Sequence, residues 1–66
     1  MGIDESFETA ESLKGHFVVI VRNDGSEITG RLTEVKADDL TAVLANDDSH
    51  SMRVSLGDVN WISRVV

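Results

Sequence analysis

The hydrophobic and polar positions of residues 16–35 predict a long β-hairpin. Residues 17–22 alternate at the two-residue period of a strand, and Asn23, Asp24 and Gly25 follow at once. Gly25 can adopt the positive φ that a tight hairpin turn requires, because it has no Cβ. We therefore expect two adjacent antiparallel strands joined by a turn at Gly25.

The return strand of this hairpin carries Ile28, Gly30 and Leu32 on one face. A glycine inside a strand usually marks a bend or a close approach of backbone. A bend at Gly30 would let this strand serve both halves of a very small barrel. By the alternation of the first strand, we assign Phe17 to the core.

The segment before the hairpin predicts a short helix over residues 4–14. Asp4 or Ser6 can cap its start, and Gly15 stands just past its end. Its apolar positions recur at three-residue spacing: Phe7, Ala10 and Leu13. We expect this helix to pack as a lid on one opening of the barrel.

Residues 40–45, 51–56 and 60–65 each have the length and alternation of a strand. The residues expected on the core face of the first two are Leu40, Ala42, Leu44, Met52, Val54 and Leu56. In the last strand, Ile62 is the better core residue by alternation. Trp61 fits either the core beneath the helix or an interface between subunits, and the sequence leaves both open.

These elements predict a mostly β fold with one short N-terminal helix. Residues 16–65 would form a five-stranded, strongly bent antiparallel small barrel, because short bent strands joined by short turns close most simply in this way. The 66 residues constitute a single domain. A domain of this size buries only about 60% of the surface that its unfolded chain exposes.

The composition offers neither disulfides nor a metal site to stabilise so small a core, so oligomerisation is the remaining way to do so. The chain has no Cys, and its two His residues lack neighbours at the spacing of metal ligands. We therefore predict no disulfide, no metal and no cofactor. We also expect no enzyme, since the sequence has no Gly-rich phosphate loop and no nucleophile motif.

The charge balance is acidic, with 12 Asp and Glu against 6 Lys and Arg and a formal net charge of −6. Such a chain lacks the basic footprint of a protein that binds phosphate backbones tightly and without sequence preference. A local RNA site and a basic protein partner both remain compatible with it. No apolar run approaches the roughly 18 residues of a membrane span, so we expect a cytoplasmic protein without a membrane partner.

Several Gly, apolar and turn positions together resemble a known family. They are Leu13-Lys14-Gly15, residues 18–21, Asp24-Gly25, Gly30-Arg31-Leu32, residues 40–44 and residues 56–62. The pattern covers nearly the whole chain and resembles the Sm-like family, which includes the RNA-associated Sm and Lsm proteins. Residues 54–59 are also similar to a run in the C-terminal barrel of ribosome maturation factors.

The Sm-like resemblance implies a homo-oligomeric ring in which the fourth strand of one subunit pairs with the fifth strand of the next. The residues that this arrangement assigns to the interface are Arg53, Ser55, Trp61, Ser63 and Val65. Edge chemistry independently favours such pairing, because an open apolar strand edge invites aggregation unless another chain covers it.

The resemblance also assigns nucleic-acid-binding positions to two turns, at Lys36, Thr41, Leu56 and Gly57. In the family, Asp and Asn in the first turn and Arg-Gly in the second read RNA bases near the pore. Thr41 and Leu56 stand where the family carries Asn and Arg, so the base-reading amide and the guanidinium are both missing. Leu56 also continues the alternation of Met52 and Val54, which favours the core instead.

The leading functional hypothesis is therefore a non-catalytic, ring-forming, RNA-associated binding or scaffold module. The alternative hypothesis, which rests on the negative net charge, is an acidic ring that binds a basic protein and does not bind RNA. The second resemblance implies a third possibility, an accessory barrel that binds ribosomal protein or RNA.

Overall fold

The computed structural model describes residues 2–46 and 50–65. Its elements, in chain order, are helix α1 (Ile3–Ser12) and strands β1 (Phe17–Arg22), β2 (Glu27–Lys36), β3 (Thr41–Ala45), β4 (Ser51–Ser55) and β5 (Val59–Arg64), with a one-turn 3₁₀ helix, η1 (Leu56–Asp58), before β5. The strands form one antiparallel sheet in the order β4-β3-β2-β1-β5. The predicted helix followed by five antiparallel strands is confirmed.

The turn between β1 and β2 forms where the sequence predicts it. The Arg22 N–H donates to the Ser26 carbonyl at 2.8 Å, and the Gly25 N–H donates to the Arg22 carbonyl at 2.9 Å. Gly25 has φ 89°. The Asp24 carboxylate accepts from the Ser26 N–H at 2.9 Å and from the Ser26 hydroxyl at 2.6 Å. This three-residue loop fixes the register of the hairpin.

Strand β2 serves both halves of the sheet. Its first half pairs with β1 and its second half pairs with β3, and the register shifts between Leu32 and Glu34. The close approach predicted at Gly30 is present: a Cβ there would lie 2.9 Å from Asn46 Oδ1 and 3.1 Å from the Ala45 carbonyl oxygen. Gly30 therefore lies where β3 comes close to β2, and the register irregularity of β2 follows between Leu32 and Glu34.

The core lies on the inner face of the sheet beneath α1. Its members are Ala10, Val18, Ile20, Ile28, Leu32, Ala42, Leu44, Val54, Leu56, Val59 and Ile62. Ala10 is fully buried, and Phe7 and Leu13 pack against the same cluster, which confirms the apolar stripe of the helix. Helix α1 contacts β5, η1 and β2.

The boundaries of α1 differ from the predicted range of 4–14. The helix begins at Ile3, with Gly2 at the N-cap position and no side-chain cap. Asp4 lies within the first turn, where its charge complements the helix dipole. Ser6 is buried inside the helix, so neither residue is a cap. The helix ends at Ser12, two residues before the predicted end.

Three core assignments were wrong. Phe17 is 52% exposed, because Val18 and Ile20 on the opposite face of β1 fill the core. Met52 is 42% exposed although Val54, two residues further along the same face of β4, is buried, so the core ends at Val54 on this strand. Leu40 lies in the turn before β3 rather than within the strand, has φ 56° and is 37% exposed.

Candidate assembly edges and nucleic-acid positions

Strands β4 and β5 occupy the two ends of the sheet. Each is hydrogen-bonded to one neighbouring strand within the described residues, β4 to β3 and β5 to β1. A strand in this position has backbone donors and acceptors along its free side, which can pair with another strand.

The outward groups of β4 follow from its hydrogen-bond alternation. The Asn46 N–H donates to the His50 carbonyl at 3.1 Å, and the Leu56 N–H donates to the Leu40 carbonyl at 2.9 Å. Between these two contacts, every second residue of an antiparallel strand bonds to its neighbour. Residues 52 and 54 therefore bond toward β3, and the N–H and C=O groups of Ser51, Arg53 and Ser55 point toward the free edge.

The same argument places the outward groups of β5. The Val65 N–H donates to the Phe17 carbonyl at 2.8 Å, so residues 61, 63 and 65 bond toward β1. The backbone groups of Ile62 and Arg64 then point toward the free edge. Sequence reasoning missed these two residues, because the direction of a backbone group depends on the pairing register and not on the side chain.

The five predicted interface residues thus divide into two groups. Arg53 and Ser55 direct their backbone groups to the edge of β4. The backbones of Trp61, Ser63 and Val65 are engaged by β1, and their exposed side chains lie on the outer face of the sheet. Trp61 is 57% exposed, so the core alternative that the sequence left open for it is wrong.

The structure gathers the four predicted nucleic-acid positions at one end of the sheet. Lys36 pairs with Thr41 across β2 and β3, and Thr41 pairs with Ser55, the residue that precedes Leu56 and Gly57. The side chain of Leu56 is only 1% exposed and belongs to the core, the alternative that its alternation favoured. It cannot contact a nucleic acid on the surface.

Two carboxylates, Asp38 and Asp39, lie in the turn before β3 at this end of the sheet. The Thr41 hydroxyl donates to the Asp39 carboxylate at 2.7 Å, and the Asp39 N–H donates to the Asp38 carboxylate at 3.1 Å. The hydrogen bond from Thr41 lowers the pKa of Asp39, and the positive charges of Lys36 and Arg53 act in the same direction. A carboxylate held in its charged form opposes the approach of phosphate.

Among residues 2–46 and 50–65, no group of three or more His, Cys, Asp and Glu side chains is arranged to hold a metal ion. The helix in the described part of the chain is too short and too polar to cross a membrane. Comparisons of the chain with protein-family models, with curated proteins and with solved structures give no match.

Proposed function

We propose that this chain is a non-catalytic, Sm-like subunit that assembles with copies of itself into a ring and acts as a cytoplasmic scaffold. The observation that carries the proposal is the pair of free edges, β4 and β5, at opposite ends of one bent sheet. Pairing of two different edges is a head-to-tail contact, and repetition of such a contact produces a closed ring when the rotation between subunits permits it.

The two edges are matched in length and in backbone chemistry. Strand β4 has five residues and β5 has six. Strand β4 directs backbone groups outward at Ser51, Arg53 and Ser55, and β5 does so at Ile62 and Arg64. Both sets recur at the two-residue spacing of an antiparallel ladder, so one edge can satisfy the other.

Substitution of Ser55 tests the edge-to-edge contact. Ser55 already has φ −72° and ψ 127°, which a proline can adopt, and its N–H points away from β3. We expect Ser55→Pro to leave the subunit folded and to dissociate the assembly, because proline removes a donor that the neighbouring subunit needs.

The matched control is Ser55→Ala, which removes the same hydroxyl and keeps the backbone donor. We expect it to assemble like the unmodified chain. Masses from sedimentation equilibrium, with folding checked by circular dichroism, separate the two variants. An unchanged mass for a folded Ser55→Pro variant would exclude this edge from the interface.

RNA association is the second candidate function. It is supported by the resemblance and by the position of Lys36, Thr41 and Gly57 at one end of the sheet. Two observations argue against RNA association: the Leu56 side chain is buried, and the Thr41 hydroxyl donates a hydrogen bond to the Asp39 carboxylate. Binding of oligo-U and oligo-A at two salt concentrations tests it, because contacts to phosphates weaken steeply with salt.

The absence of RNA binding by an intact ring would favour the alternative scaffold, in which the acidic ring binds a basic protein. The ribosome-associated alternative differs from both in its assembly, because the barrel that it resembles does not work as a ring. A monomeric mass would therefore favour the ribosome-associated alternative over the other two.

A further inference from the structure

The outer face of β1 and β5 carries an apolar surface that the core does not use. We call the five side chains Phe17, Val19, Val21, Trp61 and Val65 the outer apolar patch. Phe17, Trp61 and Val65 are 52%, 57% and 41% exposed, and Val19 and Val21 are half-buried. The exposed, polar Ser63 lies between Trp61 and Val65, beside Val19. Since aromatic side chains carry roughly 150–250 Å² each, the patch exposes on the order of 300 Å² of apolar surface.

Pairing at the strand edges would leave the outer apolar patch open. A strand added beside β5 extends the sheet in its own plane and contacts backbone groups at the edge. Phe17 and Val19 lie on β1, one strand further in. The patch therefore needs a partner that approaches the face of the sheet.

The flank of the patch has opposite charges at its two ends. On β2, Glu27 pairs with Val21 and Arg31 pairs with Phe17. Thr29 stands between them, beside Val19. Both charged side chains are exposed and belong to the same outward-facing set of residues. One end of the patch is thus acidic and the other is basic.

This arrangement is complementary to itself under one two-fold rotation. When the axis lies in the plane of the sheet and across the strands, each strand faces its own copy in the opposite direction. Phe17 then faces Val21 of the other copy, and Val19 faces Val19. Glu27 of each copy faces Arg31 of the other.

Side-chain size follows the same symmetry. On β5, Trp61 lies beside Val21 and Val65 lies beside Phe17, so the same rotation sets Trp61 opposite Val65 of the other copy. A large side chain meets a smaller one at both ends of the patch. Interdigitation of this kind is what packs two sheets about 10 Å apart.

We propose that two copies of this chain pack face to face through their outer apolar patches, with β1 of one copy antiparallel to β1 of the other. The proposal does not depend on the ring, because it uses the face of the sheet and not its edges. The patch is small for a permanent interface, so the pairing is weak and depends on concentration.

The test measures mass by sedimentation equilibrium from about 1 µM to about 1 mM. We expect the assembly that is present at the lowest concentration, whatever its number of copies, to double in mass as concentration rises. Phe17→Lys places a charge at both ends of the two-fold contact, opposite Val21 of the other copy, and should abolish the doubling. No doubling by the unmodified chain, or the same doubling by a folded Phe17→Lys variant, would overturn the proposal.

Two charge reversals test the orientation. Glu27→Arg opposes Arg31 of the other copy, and Arg31→Glu opposes Glu27, so each single variant should require about tenfold higher concentration to double. The double variant, Glu27→Arg with Arg31→Glu, should behave like the unmodified chain. Loss of doubling in the double variant would contradict the proposed orientation.

Mixing the two single variants gives a control that a folding defect cannot mimic. In a mixed pair both charge contacts are attractive, whereas in each pair of identical variants both are repulsive. With one variant isotopically labelled, native mass spectrometry should show mixed pairs in excess of the statistical proportion. A statistical mixture would show that Glu27 and Arg31 do not face each other.

Discussion

At the scale of single residues, Gly30 has the closest neighbours of the five glycines. It is buried in β2, where a Cβ would meet the Ala45 carbonyl oxygen at 3.1 Å and Asn46 Oδ1 at 2.9 Å. The Asn46 side chain can rotate away, but the carbonyl belongs to the backbone of β3. The constraint therefore comes from the neighbouring strand.

We expect Gly30→Val to lower the free energy of unfolding by on the order of 1–3 kcal/mol, as overpacking does. Gly57→Ala is the control, because a Cβ at Gly57 would have its nearest contact at 3.6 Å, an ordinary van der Waals distance. Thermal and urea denaturation measure both variants. Equal stability of the two would contradict a close approach at Gly30.

Leu40 is disfavoured for a different reason from a side chain at Gly30. At Gly30 the neighbouring atoms are too close, whereas at Leu40 the backbone conformation itself disfavours a residue with a Cβ. Its φ of 56° lies in the left-handed region, which costs a residue with a Cβ roughly 1 kcal/mol. We expect Leu40→Asn to raise the free energy of unfolding by about 0.5–1 kcal/mol, since Asn tolerates this conformation.

The control for Leu40 is Leu40→Val. A β-branched residue is a poor fit to positive φ, so this variant should be less stable than the unmodified chain. The carbonyl that accepts from the Leu56 N–H is present in both variants. The order of urea midpoints, Asn above Leu above Val, is the expected result, and any other order would argue against strain at this residue.

The pattern of apolar residues correctly predicted which side of the helix is buried, but it did not predict which face of β1 points to the core. In the helix, polar neighbours isolate Phe7, Ala10 and Leu13, so the buried side is visible in the sequence. In β1, residues 17–21 are all apolar, so no polar side chains mark which face of the strand is exposed to solvent. Phe17 was assigned to the core for this reason, and only the packing shows that Val18 and Ile20 occupy it.

At the scale of elements, α1 carries a buried polar group at its contact with the sheet. Ser6 is fully buried, and its hydroxyl has no hydrogen-bond partner among residues 2–46 and 50–65. An unpaired buried hydroxyl costs free energy, because it loses its bonds to water and gains none in the fold. The helix packs through Ala10 despite this group.

We expect Ser6→Ala to raise the free energy of unfolding by about 1 kcal/mol. Ser12→Ala makes the same atomic change at the exposed end of the helix, where it gains the helix propensity of Ala and removes the hydrogen bond from the Ser12 hydroxyl to the Thr9 carbonyl at 2.7 Å. Denaturation of both variants compares the loss of a buried, unpaired hydroxyl with the loss of an exposed, hydrogen-bonded one. A gain no larger at Ser6 than at Ser12 would mean that the Ser6 hydroxyl is satisfied in solution.

The sequence also predicted the elements better than it predicted their edges. The hairpin turn at Gly25 depends only on residues that are adjacent in the sequence, so the sequence predicts it. The outward direction of the backbone at Ser55 and Ile62 is set by register, which depends on how β4 meets β3 and β5 meets β1. Lys36, Thr41 and Gly57 lie near one end of the sheet, and Leu56 is buried where η1 packs against α1.

At the scale of the whole molecule, charge opposes assembly. Each subunit has a formal net charge of −6, so copies brought together repel one another. The proposed edge contacts are backbone hydrogen bonds, whereas the proposed outer-face contact combines apolar side chains with the flanking charges of Glu27 and Arg31. The edge contacts do not depend on counterion release.

We therefore expect ring assembly through the strand edges to strengthen when salt is raised from about 50 mM to about 500 mM, because screening shortens the range of the repulsion. Binding of RNA, where it occurs, should weaken over the same range. Sedimentation in both buffers measures the first effect. Dissociation at high salt would indicate an interface held by ion pairs instead.

The mass of the unmodified chain in solution tests the central claim most directly. Native mass spectrometry at micromolar concentration should give one closed stoichiometry of more than two copies, because a ring through β4 and β5 needs at least a third subunit. A species at 7.2 kDa, the mass of one chain, across the accessible concentrations would contradict the account. A species of only two copies would leave the face-to-face pairing in place and contradict the ring.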